Sequence, residues 1–188
     1  VVLSGPLGEP IHDFNYGGGW YALADGGGFS LALVDENPAS TNNYSTNTSW
    51  RISAFDQGSP GQVDPSPSLS PRVVVNEATT HTDPVAVGDT IELRNLGATN
   101  APIGYWYLTD EFDTPRKYQV PSDIFIPAGG YVVFNELATF GLGTNSFALS
   151  SRGENIYVFS GDAAGRLTGW YHGFGFGALR REFGQLKV

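Results

Sequence analysis

Nine short apolar runs, each closed by Gly, Pro, Asn, Asp or Ser, constrain this chain more than any other feature. They lie at 29–35, 49–55, 72–78, 89–96, 103–110, 116–120, 130–136, 145–150 and 154–160. Apolar residues alternate or cluster within each, as half-buried or buried strands require. No window keeps an i, i+3, i+4, i+7 pattern for three turns. The best helical stretch, 134–142, offers one or two turns at most. The expectation is an all-β chain, most simply an antiparallel β-sandwich. With 25 Gly and 12 Pro in 188 residues, turns are amply supplied, and 40% hydrophobic against 15% charged residues is too apolar for disorder.

Charge and composition exclude several functions. The formal charge is −9, and the dense basic pairs are Arg116–Lys117 and Arg180–Arg181. Nucleic-acid binding needs clustered cations, so no nucleic-acid partner is expected. There is no cysteine, hence no disulfide or thiolate metal site. No apolar run reaches 18 residues, so no membrane-spanning helix is expected. "VVLSGPLGEP" lacks a basic n-region and an apolar h-region, and no initiator Met precedes it. The expectation is a piece cut from a longer protein.

Residues 56–71, "DQGSPGQVDPSPSLSP", read as a semi-stiff Pro/Ser/Gly linker between residues 1–55 and 72–188. The two ends of the chain also look alike. At an offset of 156, residues 1–32 match 157–188 with eight identities: Val2, Ser4, Gly5, Gly17, Gly19, Ala22, Leu23 and Gly28. "DFNYGGGWY" (13–21) lies on "GWYHGFGFG" (169–177) in this alignment. The implied unit, used twice, is a hairpin whose first strand ends at Ser-Gly and whose second alternates aromatic with small residues.

Longer motifs add a resemblance. Asn76–Glu77 closes one strand, and Ile91-Glu92-Leu93-x-Asn95 forms the next. Trp106-x-Leu108-x-Asp110, Pro127-x-Gly129-Gly130-Tyr131 and Leu149-Ser150-x-x-Gly153-Glu154 follow in order. The front piece carries Gly28-x-Ser30-Leu31, Trp50-Arg51-x-Ser53 and Gly58-Ser59-Pro60-Gly61. This succession resembles the bacterial lamin-tail domain, with the end of one copy at 1–55 and most of a second at 72–188. The resemblance implies an immunoglobulin-like sandwich of lamin-tail type. It implies a non-catalytic module, in tandem copies, of a large exported, extracellular or cell-surface bacterial protein. Two departures stand out. The family has Gly-Trp where this chain has Tyr105–Trp106, which leaves the turn before that strand open. "EFGQLKV" replaces the family's closing strand start, so the last strands of the second copy are expected to be missing.

Candidate chemistry is sparse, and no cofactor motif is present. Asp110, Glu111 and Asp113 could offer hard oxygens to Ca²⁺, but the spacing lacks the EF-hand Gly and Glu, and a hairpin turn held by Asx bonds is favoured. His12, His81 and His172 share no metal or catalytic spacing. Glu77 and Glu92 are expected on an outer sheet face, or near Arg94, rather than as an acid–base pair. "SGDAAGRL" (160–167) lacks the Lys-Ser/Thr of a phosphate loop and reads as a hairpin turn. "QGSPGQ" (57–62) does not form a nucleophile elbow. Asn43-Tyr44-Ser45 and Asn47-Thr48-Ser49 match the glycosylation acceptor but read as an exposed polar loop. Trp50 and Trp106 are expected in the core. Trp20, Trp170 and Tyr171 are the candidate ligand-facing aromatics, although alternation in and out of a sheet is the plainer reading. Two uses follow: spacing, assembly or adhesion with other chains or neighbouring domains through strand edges, or binding of carbohydrate or another extracellular polymer.

Overall fold

The computed structural model describes residues 1–37, 43–65, 71–80, 87–177 and the backbone of 185–187. The chain divides into two compact units, Val1–Ser68 and Leu69–Val188. Among the described residues all regular structure is antiparallel strand, apart from three-residue 3₁₀ turns. The all-β expectation holds. The 134–142 stretch forms no helix: it ends a strand and continues as turns.

In the first unit β1 (Val2–Ser4) pairs with β2 (Pro10–Asp13), and β3 (Phe29–Leu33) with β4 (Trp50–Asp56). Leu23, Phe29 and Ala54 are buried. Ser53 is buried too, at the β3 bulge, where its hydroxyl accepts the Ser30 N–H (3.0 Å) and donates to the Phe55 carbonyl (2.8 Å). The start of the proline-rich stretch folds back on β4. Asp64 accepts from the Ala54 N–H (3.1 Å) and the Ser59 hydroxyl (3.0 Å), and it pairs with Arg51. Burial opposes the Asp64 charge, but Arg51 and these donors outweigh it and hold the carboxyl below its usual range.

The second unit is a sandwich of two four-stranded sheets. One has β5 (Val73–Thr79) and β6 (Thr90–Asn95) at its centre. A short bridge joins β7 (Ala101–Pro102) to a later strand, and β8 (Tyr107–Thr109) and β9 (Tyr118–Gln119) belong to the second sheet. The bridge partner is β10 (Phe125–Ile126). Then come β11 (Tyr131–Asn135), β12 (Gly153–Gly161), β13 (Leu167–Gly177) and β14 (Gln185–Lys187). The strand orders are β11-β6-β5-β14 and β13-β12-β8-β9. Val73, Val75, Ile91, Leu93 and Phe134 of one sheet meet Leu108, Ile156, Val158 and Phe176 of the other in a single core. Trp106, 4% exposed, lies in that core as expected.

Two expected strands differ. Residues 145–150 form no ladder, although Phe147 and Leu149 are buried. Their alternation records one-sided burial, which an irregular segment also produces. Of 103–110 only Tyr107–Thr109 is strand, because Ile103–Trp106 is a turn closed by Trp106 N–H to the Ile103 carbonyl (3.1 Å). Tyr105, third in that turn, has φ +69°, the left-handed region that favours glycine.

The β1–β2 and β12–β13 hairpins close alike. Gly5 N–H meets the Glu9 carbonyl (2.8 Å) as Asp162 N–H meets that of Arg166 (3.0 Å), and Gly8 and Gly165 have φ +80° and +79°. This correspondence sits at an offset of 157, one more than the sequence alignment. Beyond the turn the two part. β13 runs straight to Gly177, whereas Gly18–Trp20 is a 3₁₀ turn, since three consecutive glycines give a strand no side chains to pack.

Candidate functional site

The cleft that stands out lies in the first unit. It encloses about 320 Å³, and its walls include Phe14, Tyr16, Phe29, Leu31 and Trp50, with Ser30 among the few polar contributors. The walls are set by local contacts. The Trp50 indole N–H donates to the Tyr44 carbonyl (2.7 Å), and the Tyr21 hydroxyl donates to the Trp50 carbonyl (2.8 Å). Phe14 lies 5.2 Å from Trp50 and 6.1 Å from Tyr44, centroid to centroid, and His12 meets Tyr44 edge-on at 5.1 Å. Tyr16 is 60% exposed, so its ring remains open to solvent. The backbone nitrogen of Val1 is turned onto the Phe14 carbonyl (2.6 Å). Trp50 is therefore half-buried as a cleft wall, not a core plug; among the described residues β4 shares a sheet with β3 alone, and the ring packs against Phe14 and Tyr44. Phe14 and Trp50 are 36 residues apart in sequence, and no local spacing marks their meeting.

The side chains of residues 1–68 include seven carboxylates and one Lys or Arg, Arg51, and none of the carboxylates lines the cleft. The Arg51 guanidinium is committed to Asp64 and to the Ile52 carbonyl (3.2 Å).

The acidic loop of the second unit packs over aromatic rings of the second sheet. Lys117 Nζ sits 2.6 Å from Asp110 and 3.3 Å from Glu111. The Thr109 hydroxyl donates to the Thr114 carbonyl (2.8 Å) and accepts the Glu111 N–H (3.0 Å). Bonds from Thr114 and Lys117 hold the Glu111 carboxyl below its usual range. Burial works to lower the Lys117 value, but its carboxylate partners raise it overall. The loop carries Phe112 onto Tyr157, Phe159 and Tyr171, with centroids 5.3–5.5 Å apart. Lys117 thus occupies the space between Asp110 and Glu111 that a Ca²⁺ reading needs, and Asp113 is exposed. Among the described residues no three His, Asp or Glu side chains gather as a metal site would require.

The aromatic–glycine strand sorts its side chains by face. Trp170, Phe174 and Phe176 turn toward the core, while Tyr171 stacks on Phe159 (5.7 Å) on the opposite face. Trp170 Nε1 donates to the Val73 carbonyl (3.0 Å), and the Val75 N–H donates to His172 Nδ1 (3.1 Å). Among the described residues β14 pairs with β5 at Glu77–Thr79, and two β13 side chains meet backbone groups farther along that edge. Burial lowers the His172 pKa, and the bond to Nδ1 places the proton of the neutral ring on Nε2. Trp20 is half-buried in its 3₁₀ turn. Glu77 stands opposite Glu92 across β5–β6, where Asn76 Nδ2 donates to Glu92 (2.7 Å) and Arg94 lies over the Tyr131 ring (5.2 Å). Asn43 and Asn47 are exposed, whereas Ser49 is buried with its hydroxyl on the Asn43 carbonyl (2.8 Å). His81 lies outside the described residues.

Comparison with protein-family models, with curated proteins and with solved structures finds no match. Among the described residues no helix is long and apolar enough to cross a membrane.

Proposed function

We propose that this chain is a non-catalytic structural and interaction module. It would be built of lamin-tail-like, immunoglobulin-type β units in tandem within a larger exported bacterial protein. Its role is to space neighbouring parts and to present surfaces for assembly or adhesion. The observation that carries the reading is Tyr105. The resembled family usually has glycine at this position, and Tyr105 has φ +69°, the left-handed region that favours glycine. A residue in glycine's backbone region at the family's glycine position supports the resemblance.

Other motif positions support it by having structural work. Asn95 is fully buried, and its Nδ2 donates to the carbonyls of Thr99 (2.7 Å), Ile126 (3.1 Å) and Pro127 (3.1 Å). Its Oδ1 accepts from Gly97 N–H (2.8 Å), so one side chain ties two loops to β6. Leu108 and Leu149 are core residues, and Asp110 ties the acidic loop to Lys117. In the first unit the cleft and the two-stranded pairings supply open surface and strand edges.

Sedimentation over a wide concentration range, with limited proteolysis alongside, tests the proposal. Self-association with residues 1–68 protected is the expected result. A strictly monomeric chain whose first unit is digested first would overturn it.

A further inference from the structure

We propose that the Asp64–Pro65 peptide bond is a self-cleavage site, cut by the Asp64 carboxylate while Arg51 stabilises the carbonyl oxygen. One cut per chain is not turnover, and it stands apart from the assembly reading.

Asp64–Pro65 lies in the proline-rich stretch, and Asp83–Pro84 is the other Asp–Pro bond of the chain. Such a bond carries its own nucleophile, because an aspartate oxygen can close a five-membered ring on the residue's own carbonyl carbon. Its leaving group is the basic secondary amine of proline.

Arg51 sets Asp64 apart. Its Nη1 pairs with Asp64 Oδ1, and its Nη2 donates to the Asp64 carbonyl oxygen (2.9 Å). The two nitrogens belong to one rigid planar fork, so the Asp64 side chain is held beside its own carbonyl. The Ala54 N–H (3.1 Å to Oδ1) and the Ser59 hydroxyl (3.0 Å to Oδ2) fix the carboxylate there. Burial opposes ionisation of this carboxyl, but Arg51 and the other donors outweigh it, so the nucleophile stays charged in mild acid. The Asp64 side chain is 9% exposed, while Pro65 is exposed to the solvent that supplies the proton.

The charge movement suits this arrangement. A carboxylate oxygen attacks the Asp64 carbonyl carbon, a C–O bond forms, and the negative charge passes to the carbonyl oxygen. Both oxygens already lie on one guanidinium, so the cation has no need to move, and its bond to the carbonyl oxygen strengthens in the transition state. The C–N bond to Pro65 then breaks as the nitrogen takes a proton from acidic solvent. Residue 64 is left as a cyclic anhydride, which one water opens to the side-chain carboxyl and a new C-terminal carboxyl. The net change is one peptide bond and one water converted to residues 1–64 and 65–188.

The test incubates the full chain in mildly acidic buffer, folded and in urea, with mass spectrometry reading the fragments and dichroism the fold. In urea the two Asp–Pro bonds should be cut alike. Folding should speed the Asp64–Pro65 cut about tenfold or more over its own rate in urea. Arg51→Lys keeps the charge without the fork and should slow the folded cut about tenfold. Pro65→Ala, at an exposed position, leaves the fold intact and should abolish the cut. A folded chain cut at Asp64–Pro65 no faster than in urea overturns the proposal, as does an unchanged rate in folded Arg51→Lys or in Pro65→Ala. The wild-type comparison needs no variant, so it decides even where Arg51→Lys disturbs the fold. Fragment masses are read independently of sedimentation, so failure here and failure of the assembly reading are distinguishable.

Discussion

Tyr105 offers the sharpest test of the fold. It is third in the Ile103–Trp106 turn, where φ is +69°. Backbone bonds fix it on both sides: Tyr105 N–H to the Val120 carbonyl (3.0 Å), Trp106 N–H to that of Ile103 (3.1 Å), and Val120 N–H to that of Trp106 (2.8 Å). The preceding Gly104 is constrained as well, because a Cβ there would stand 2.2 Å from the Ser122 carbonyl oxygen. The turn therefore cannot relax by exchanging roles between the two residues. A Cβ in the left-handed region costs about 1–2 kcal/mol. At an ordinary position glycine is instead less stable than alanine by about 0.5–1 kcal/mol.

The comparison that isolates this strain is Tyr105→Gly against Tyr105→Ala. Both remove the half-buried phenol, so lost packing cancels between them. The glycine variant should be the more stable by about 1 kcal/mol, the reverse of the usual order. Urea unfolding of the full chain, followed by far-ultraviolet dichroism, gives the midpoints, with equal slopes required of the two variants. If alanine equals or exceeds glycine, the positive φ is absent in solution. The support that Tyr105 lends to the resemblance then fails.

Three further tests probe the second unit. His172→Leu strips the Val75 N–H of its acceptor and should cost about 1–3 kcal/mol. Because the folded pKa of His172 lies below its ordinary 6.5, its contribution is full above that pH and lost as pH falls through the folded value. Glu154, raised first by burial and then by the charges of Asp110 and Asp89, acts oppositely, so the wild-type minus His172→Leu difference in a pH series of denaturant midpoints is the quantity to read. Gly173→Ala should destabilise by about 1–3 kcal/mol, since its Cβ would lie 2.2 Å from Tyr157 Cδ1 and 2.4 Å from the Ile156 carbonyl, while Gly177→Ala, with open space, should lie within about 0.5 kcal/mol of wild type by thermal denaturation. Lys117→Met leaves Asp110 and Glu111 without their shared cation and should lower the denaturant midpoint at neutral pH, an effect that shrinks as acid reaches the Glu111 carboxyl, which is held below its usual range.

The sequence made strands legible where burial and pairing coincide, as at β5, β6 and β12. It misled where they separate. Phe147 and Leu149 alternate inward without a ladder, and a period-two pattern reports only the burial. The cleft could not be read locally, because Phe14 and Trp50 meet through the tertiary arrangement of β2 and β4. Trp50 and Trp106 share a residue type and a motif context, yet one lines a cleft and the other fills a core. The difference lies in whether a second sheet covers the ring, which no short window encodes.

"GWYHGFGFG" shows the same limit from the other side. Its alternation fixes that Trp170, His172, Phe174 and Phe176 share one face and that Tyr171 and the glycines share the other. It does not say which face is core. Two long-range requirements decide that. The ring of Tyr157 needs the space a Cβ on Gly173 would take, which places the glycine row outside. Along the β5 edge, where no ladder partner is described, the Val73 carbonyl takes a donor and the Val75 N–H an acceptor, which Trp170 and His172 supply from inside. The Trp170 indole and the His172 ring are thus consumed in closing the sandwich. In the first unit, by contrast, Phe14, Tyr16 and Trp50 stand around an open cleft.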